Sequence, residues 1–284
     1  AAFQQDAEDD DDIDDARPDA AASLSQLLDP RIALLIEALD ADRIDIFLEP
    51  IVALAEKSPR HFEVSARFRD PGDAAIDPHD DPADLRGSGV LPLVDLAKIS
   101  RVADLARRLA ERGKTGAVFT SLAAETFEDE EFLNRFAEIY IDRTGFAEQL
   151  VVSLAQAEAR MLSGAQLEMI EDMRELGFRF ALDHVTSLDM DLEALRAAGV
   201  SFIKLDAAVF LEGLPAGDEI SIPAEDICRH LSDLGFEVVV EGIAETEVLD
   251  RLVACGVPLG RGELFGGARP VKAEVFNPRQ ASAA

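Results

Sequence analysis

Basic residues are scarce in this chain. Lys and Arg number 27 against 57 Asp and Glu, and the net charge is −30. That balance excludes a general DNA or RNA binder, because neutralising phosphates takes clustered Lys and Arg. A small anionic ligand stays compatible where a local basic pocket overrides the overall field. Cysteine is nearly absent: Cys228 and Cys255 are the only two. They match no metal-ligand spacing and make no disulfide framework, so a reducing, cytoplasmic compartment is expected. No run reaches the roughly 18 apolar residues that a membrane span needs, so no membrane contact by this segment is expected. No Gly-rich loop follows any strand-like run, which counts against an open dinucleotide-binding sheet. The chain opens Ala1-Ala2-Phe3 without a Met, and an upstream signal or membrane anchor is compatible with that.

What is present is long enough for one large domain or two small ones, and 48% of the residues are apolar, enough for a sizeable core. Residues 1–28 stand apart. The stretch "DAEDDDDIDDARPD" carries like charges without apolar periodicity and reads as a disordered acidic tail or linker; an acidic docking tail is the sharper alternative. Asp29-Pro30 then supplies an N-cap and an N1 proline, and Ile32, Leu35, Ile36 and Leu39 mark one face of a short helix. From there strand-like and helix-like runs alternate. The strand-like runs are 43–54, 62–69, 116–122, 150–156, 178–183, 200–206, 236–242 and, weakly, 263–267. The longest helix-like runs are 93–112, 128–142, 158–176, 223–234 and 245–255. Strands alternating with helices mean βαβ units and a mainly parallel sheet. Eight strands suit a closed (β/α)8 TIM-like barrel over residues 29–275, with a C-terminal tail at 276–284. The first two strands lack a long helix between them and read as a hairpin, which makes strand one antiparallel. A doubly wound open sheet is the runner-up.

In such a barrel, function sits at the C-terminal ends of the strands. Those ends carry Glu49, Glu63 to Arg67, Ser121, Gln156, Asp183, His184, Lys204, Asp206, Glu241 and Arg261. Polar side chains closing runs that are otherwise apolar imply a concave polar site. The bland alternative is a set of salt bridges closing the barrel mouth.

Eight of these segments resemble, in order, the motifs of the EAL domain, the phosphodiesterase that hydrolyses cyclic di-GMP. "EPIV" (49–52) is similar to Q-P-I-V and "EVSAR" (63–67) to E-A-L-x-R. "TSLAAETFEDEEF" (120–132) resembles the stretch around N-L-S, with Ser121 at the Asn. "LVVSLAQ" (150–156) resembles L-x-L-E-x-T-E, with Gln156 at the final Glu. "ALDHVTS" (181–187) resembles the D-D-F-G-T loop, keeping only Asp183. "IKLD" (203–206) matches I-K-I-D, "VEGIAETEVL" (240–249) matches A-E-G-V-E-T, and "GRGELF" (260–265) matches the Q-G-Y-L region with Arg261 at the Gln.

The resemblance implies an EAL-type barrel, and it implies that the chemistry is gone. Family members use two Mg²⁺ or Mn²⁺ ions held by hard oxygen ligands. The matched positions here are Glu63, Ser121, Gln156, Asp183 and His184, so four carboxylates become two. Imidazole is a poor Mg²⁺ ligand and a neutral amide is weak, so no metal and no cofactor is expected, and the chain is not expected to be an enzyme. Glu63, Asp183, Lys204 and Glu241 become relict positions, and the loop Val185-Thr186-Ser187-Leu188 lacks the family's glycine. His184 reads as a capping or packed histidine; a Zn²⁺ or Fe²⁺ site on Glu63, Asp183 and His184 is the sharper alternative. The nucleotide-binding positions implied are Glu49, Ser65, Arg67, Asp183, Lys204, Asp206, Glu241 and Arg261. Arg67 is the leading phosphate ligand, with Arg261 and Lys204 as further cations, unless Arg67 pairs with Glu63 or Asp183. Glu49 would accept from a guanine or repel a phosphate. The reading is therefore an inactive EAL domain that receives cyclic di-GMP and signals to a protein partner. The alternative is a nucleotide-independent interaction module, and an active phosphodiesterase is the least favoured. The pattern is especially similar to EAL domains of polar flagellar-assembly regulators, which implies a flagellar or polar partner, a role in motility, a homodimer and a membrane-tethered full-length protein.

Overall fold

The computed structural model describes residues 29–272 except 73, 80, 81, 143, 144, 218 and 219. The acidic segment 1–28 and the tail 276–284 lie outside the described residues. Helix α1 (Pro30–Asp40) begins as its sequence dictates, with the Asp29 carboxylate accepting from the Arg31 N–H and Pro30 in the first turn. Its buried face is Ile32, Leu35 and Ala38, whereas Ile36 turns outward. Strands β1 (Ile44–Ala53) and β2 (Ser58–Arg69) follow as an antiparallel hairpin. The chain then alternates: α2 (Val90–Glu111), β3 (Val118–Ser121), α3 (Glu130–Asp142), β4 (Leu150–Ala155), α4 (Gly164–Glu175), β5 (Arg179–Asp183), α5 (Leu192–Ala197) and β6 (Val200–Asp206). It ends with α6 (Ala207–Glu212), α7 (Ala224–Asp233), β7 (Glu237–Glu241), α8 (Thr246–Ala254) and β8 (Leu259–Gly260).

The eight strands close in the order β1-β8-β7-β6-β5-β4-β3-β2, with β2 returning to β1. All neighbours are parallel except β1, which is antiparallel to both β2 and β8. The barrel and its inverted first strand thus follow the sequence reading. Two boundaries differ. The eighth strand is Leu259–Gly260, and Glu263–Phe265 within the expected strand is a single 3-10 turn opened by Gly262. The run 158–176 is broken at Ser163, whose hydroxyl accepts from the Gln166 N–H while the Gln166 side chain accepts from the Ser163 N–H.

The period of two along a strand builds the site. Ile51, Phe119, Val151, Ala181, Phe202, Val239 and Leu259 point into the barrel and plug its lower half. Phe119 and Phe202 meet edge to face at 4.8 Å, with His61 against both. The next inward residue on each strand, two positions along, is Glu49, Ser121, Ser153, Asp183, Lys204, Glu241 or Arg261, and Glu63 on β2 follows His61. The polar layer is therefore stacked directly on an apolar plug. The second core lies outside, between the barrel and its helices. Gly116 permits the β2–β3 approach, since a Cβ there would sit 2.0 Å from the Arg60 carbonyl oxygen.

Candidate functional site

Glu49 and Glu63 are directly opposed across the β1–β2 ladder, an arrangement that like charges disfavour unless cations intervene. Two cations do. The Lys204 ammonium is fully buried and lies 2.7 Å from Asp183, 3.0 Å from Glu63 and 3.2 Å from Glu241. The Arg261 guanidinium donates through Nε to Glu241 at 2.7 Å and through Nη1 to Glu49. Four buried carboxylates and two cations thus form one continuous network across β1, β2, β5, β6, β7 and the residue after β8.

The electrostatics follow from burial against pairing. Burial alone would lift the Glu241 carboxyl, but Lys204 and Arg261 hold it down at about 2. Burial would lower the Lys204 ammonium, but Asp183, Glu241 and Glu63 push it above the ordinary lysine range. Glu63 goes the other way. Its desolvation outweighs the attraction of Lys204 and Arg261 and raises it. Its Oε2 is close to the ammonium yet outside hydrogen-bonding geometry, and has no hydrogen-bond partner. The Lys204 ammonium donates to Asp183 Oδ2 at 2.7 Å.

Above the network opens a cleft of about 350 Å³ lined by Glu49, Glu63, Ser65, Arg67, Asp183, His184 and Arg261, among others. Wider hollows exist elsewhere, as between α1, α2 and α3 or near the N-terminal ends of β5 to β7, but the strand-end polar groups do not reach them. Arg67 is exposed at the cleft rim. Its guanidinium stacks over the Phe47 ring at 4.1 Å and makes no ion pair among the described residues, so the alternative of a pairing with Glu63 or Asp183 is not what the fold provides. The β1–β2 register sets this: Arg67 lies four residues beyond Glu63, opposite Asp45 and one rung past Phe47. Lys204 and Arg261, expected as further free cations, are instead consumed by the carboxylates. Asp206 does not join the cleft. It caps α6 by accepting from the Ala208 N–H and lies against Gly242, where a Cβ would sit 2.8 Å from its carboxylate.

His184 is exposed at the mouth rather than packed. It adopts a left-handed φ of 52°, and its N–H donates to Asp183 Oδ1. Asp183, His184 and Glu241 can bring one ligand atom each within 4.8 Å of one another, a grouping that differs from the alternative set Glu63, Asp183 and His184. Two of those three already hold Lys204. Gln156 also differs from expectation. Its side chain turns from the cleft and pins the following loop, donating to the Ser187 carbonyl at 2.6 Å and accepting from the Thr186 N–H at 3.0 Å. The inward residue of β4 is Ser153, which falls on the first Glu of the matched L-x-L-E-x-T-E motif. A buried hydroxyl without a hydrogen-bond partner stands there.

The sequence reading missed a second polar cluster beside the first. Asp95 and Lys98 project from the buried face of α2, in line with Leu91 and Val102. Asp95 contacts Lys98 at 3.1 Å and His79 at 2.7 Å, and accepts from the Ala123 N–H and the Thr126 hydroxyl. Against the cost of burial, Lys98 and His79 hold its carboxyl well below the usual range. The Lys98 ammonium donates to the Ser121 carbonyl and lines the cleft. A charged i,i+3 pair within an apolar helix face was the available signal.

Comparison with known proteins agrees with this architecture. Residues 33–270 match the EAL domain family. The chain is 24% identical over 266 residues to the cyclic di-GMP phosphodiesterase PdeB of Shewanella oneidensis. It is 23% identical over 241 residues to the cyclic di-GMP phosphodiesterase NbdA of Pseudomonas aeruginosa. These alignments cover 90% and 84% of this chain but 30% of each relative, so the chain spans about three tenths of their length. Among solved structures, the FimX EAL domain of Pseudomonas aeruginosa bound to c-di-GMP has a TM-score of 0.66 at 21% identity, covering 84% of this chain and 95% of that one. The PaMucR phosphodiesterase complex with c-di-GMP has a TM-score of 0.69 at 19% identity, covering 85% and 97%. At such identities the structural likeness establishes the fold.

Proposed function

This chain belongs to the EAL-domain family, and we propose that it is a catalytically inactive, metal-independent receptor for cyclic di-GMP that signals to a protein partner. The observation that carries this reading is the division of cations at the strand ends. Lys204 and Arg261 are already paired with the carboxylates of the barrel floor, whereas Arg67 is exposed at the cleft rim and has no ion pair among the described residues. A divalent ion would have to displace the Lys204 ammonium from Asp183 and Glu241. It would also find hydroxyls at Ser121 and Ser153 and an imidazole at His184, a donor set that suits Mg²⁺ or Mn²⁺ poorly. Two such ions do not fit, and no hydrolytic step is assigned. A guanidinium, by contrast, grips phosphate oxygens bidentately without any metal. The names of relatives and neighbours support the nucleotide: two are cyclic di-GMP phosphodiesterases and two are EAL structures holding the dinucleotide.

The receptor reading places the domain in the cytoplasm, within a longer and membrane-tethered protein, with an output in flagellar assembly or motility through a polar partner or a homodimer. Isothermal titration of cyclic di-GMP, once with Mg²⁺ and once with EDTA, tests it. Saturable binding in both buffers, intact nucleotide afterwards, and a loss of at least about tenfold in Arg67→Ala are expected. Linear pGpG in the Mg²⁺ sample would instead mean an active phosphodiesterase.

The second reading, a nucleotide-independent interaction module, is favoured by one feature. Glu49, Arg261 and Glu241 already satisfy one another across the mouth, as a closed relic would. Absence of binding in both buffers would select it.

A further inference from the structure

A cleft on the outer wall of the barrel gathers three arginines in a strongly acidic protein. It measures about 360 Å³ and lies among β1, β2, the C-terminal half of α2 and residues 265–271. Its floor is apolar, with Leu48, Phe62, Leu105, Leu109 and Phe265. Arg108, Arg112 and Arg269 line it, and none makes an ion pair among the described residues. The Arg108 Nε is buried without a hydrogen-bond partner. Only Arg269 Nε has a partner, the Gly266 carbonyl at 3.0 Å. Favourable placement at a helix C-terminus explains Arg108 and Arg112 in part. It does not explain Arg269, which arrives from another element. Nor does it explain three unpaired guanidiniums where acids outnumber bases 57 to 27.

We propose that this arginine-lined apolar cleft is the docking site for the acidic segment of the same chain, residues 6–15. Eight of those ten residues are Asp or Glu, with Ile13 among them and Phe3 just before. Acidic groups meet the guanidiniums, and an apolar side chain meets the floor between them. The chain can reach. The fifteen residues from Asp15 to Pro30 span up to about 50 Å when extended, against a radius of gyration of about 18 Å for a domain of this size. Tethering makes the contact intramolecular, so exposed pairs that are weak singly add up at a high effective concentration. The cleft is separate from the one that Arg67 lines and lies on the outer face of the hairpin whose inner face carries Glu49 and Glu63, so the tail would act on β1 and β2 from behind.

The test is arginine modification of the full chain with phenylglyoxal, read residue by residue by peptide mass spectrometry. The comparison is a variant with Asp9→Asn, Asp10→Asn, Asp11→Asn and Asp12→Asn. These positions precede the family match at residues 33–270, and an unchanged circular dichroism spectrum and Tm of the variant check that the fold is preserved. Modification of Arg108, Arg112 and Arg269 is expected about 5- to 10-fold slower in the natural chain than in the variant. High salt should abolish the difference, and dilution should leave it unchanged. Arg67, equally unpaired but in the other cleft, is the internal control and should react alike in both chains. Equal rates at the three arginines would overturn the proposal. So would equal protection of Arg67, which means diffuse attraction, and so would protection that fades on dilution, which means the tail of a second copy.

Discussion

Replacing Lys204 by Met removes the ammonium on which the strand-end network turns while keeping the length of the side chain. Asp183, Glu63 and Glu241 lie 2.7, 3.0 and 3.2 Å from it, all buried. Without it, Arg261 still pairs with Glu241 and Glu49, while Asp183 and Glu63 lose the cation they share. Breaking a buried ion pair by removing one partner costs about 3–5 kcal/mol, because a buried charge is left uncompensated. For a domain of this size each kcal/mol shifts Tm by about 2–4 °C, so Lys204→Met should lower Tm by about 6–20 °C at pH 7. The loss should shrink under acid, as the freed carboxylates take up protons. Urea unfolding at pH 7 and pH 5 measures both effects. The same variant reports on the metal argument. With the ammonium gone, Asp183, His184 and Glu241 become available as ligands, and about 10 mM Mg²⁺, Mn²⁺ or Zn²⁺ should raise the Tm of the variant but not of the natural chain. Two results would refute the reasoning. One is a stability loss below about 1 kcal/mol, which would mean that the carboxylates are solvated or already protonated. The other is an equal metal-induced rise in the natural chain, which would mean that Lys204 does not exclude the ion.

His61 gives a pH prediction at the opposite end of the barrel. Burial against Phe119 and Phe202, then Arg179 and Arg60, lower its imidazole from 6.5 to about 4. The folded state therefore prefers the neutral ring, so its stability is complete above 6.5 and is lost as pH falls toward 4. The contribution is about 2 kcal/mol after allowing for partial exposure, and His61→Gln should flatten the stability–pH curve in that window by this amount. Glu241 acts lower. Its depressed carboxyl supports the fold above its unfolded value and loses that support as pH falls from 4.5 to about 2, so acid unfolding should steepen there and Glu241→Gln should remove the step. Gln156→Ala would leave the Thr186 N–H without its partner and free the Ser187 carbonyl. A loss of about 1–3 kcal/mol, with faster hydrogen exchange confined to residues 184–190, is expected. Uniform exchange across the barrel would argue against that local role.

Much of this protein was legible in one dimension. The strand-like runs, the helices between them and the hairpin at the start fix a closed barrel with an inverted first strand, because periods of two and 3.6 are properties of the chain itself. Ends of strands such as Asp183 and Lys204 can be read off the same way, since a barrel of this kind presents them on one face. Asp29-Pro30 starts its helix where propensity alone places it. Legibility fails where a side chain's partner is distant in sequence. Gln156 sits in the matched motif at a ligand position, yet one residue past the strand it has left the barrel interior, and Ser153 is the inward group. Lys98 hides in a helix and emerges beside Ser121 only because α2 packs its Asp95 face against the end of β3.

The sequence by itself determined the barrel and the layer in which the polar residues lie. Only the tertiary structure decided which charges cancel. Glu49 and Arg261 are 212 residues apart and form a hydrogen bond, while Arg67, four residues from Glu63, is left exposed over Phe47. Pairing depends on the closed path from β8 back to β1 and on burial at each position, which are properties of the assembled barrel that no local pattern carries.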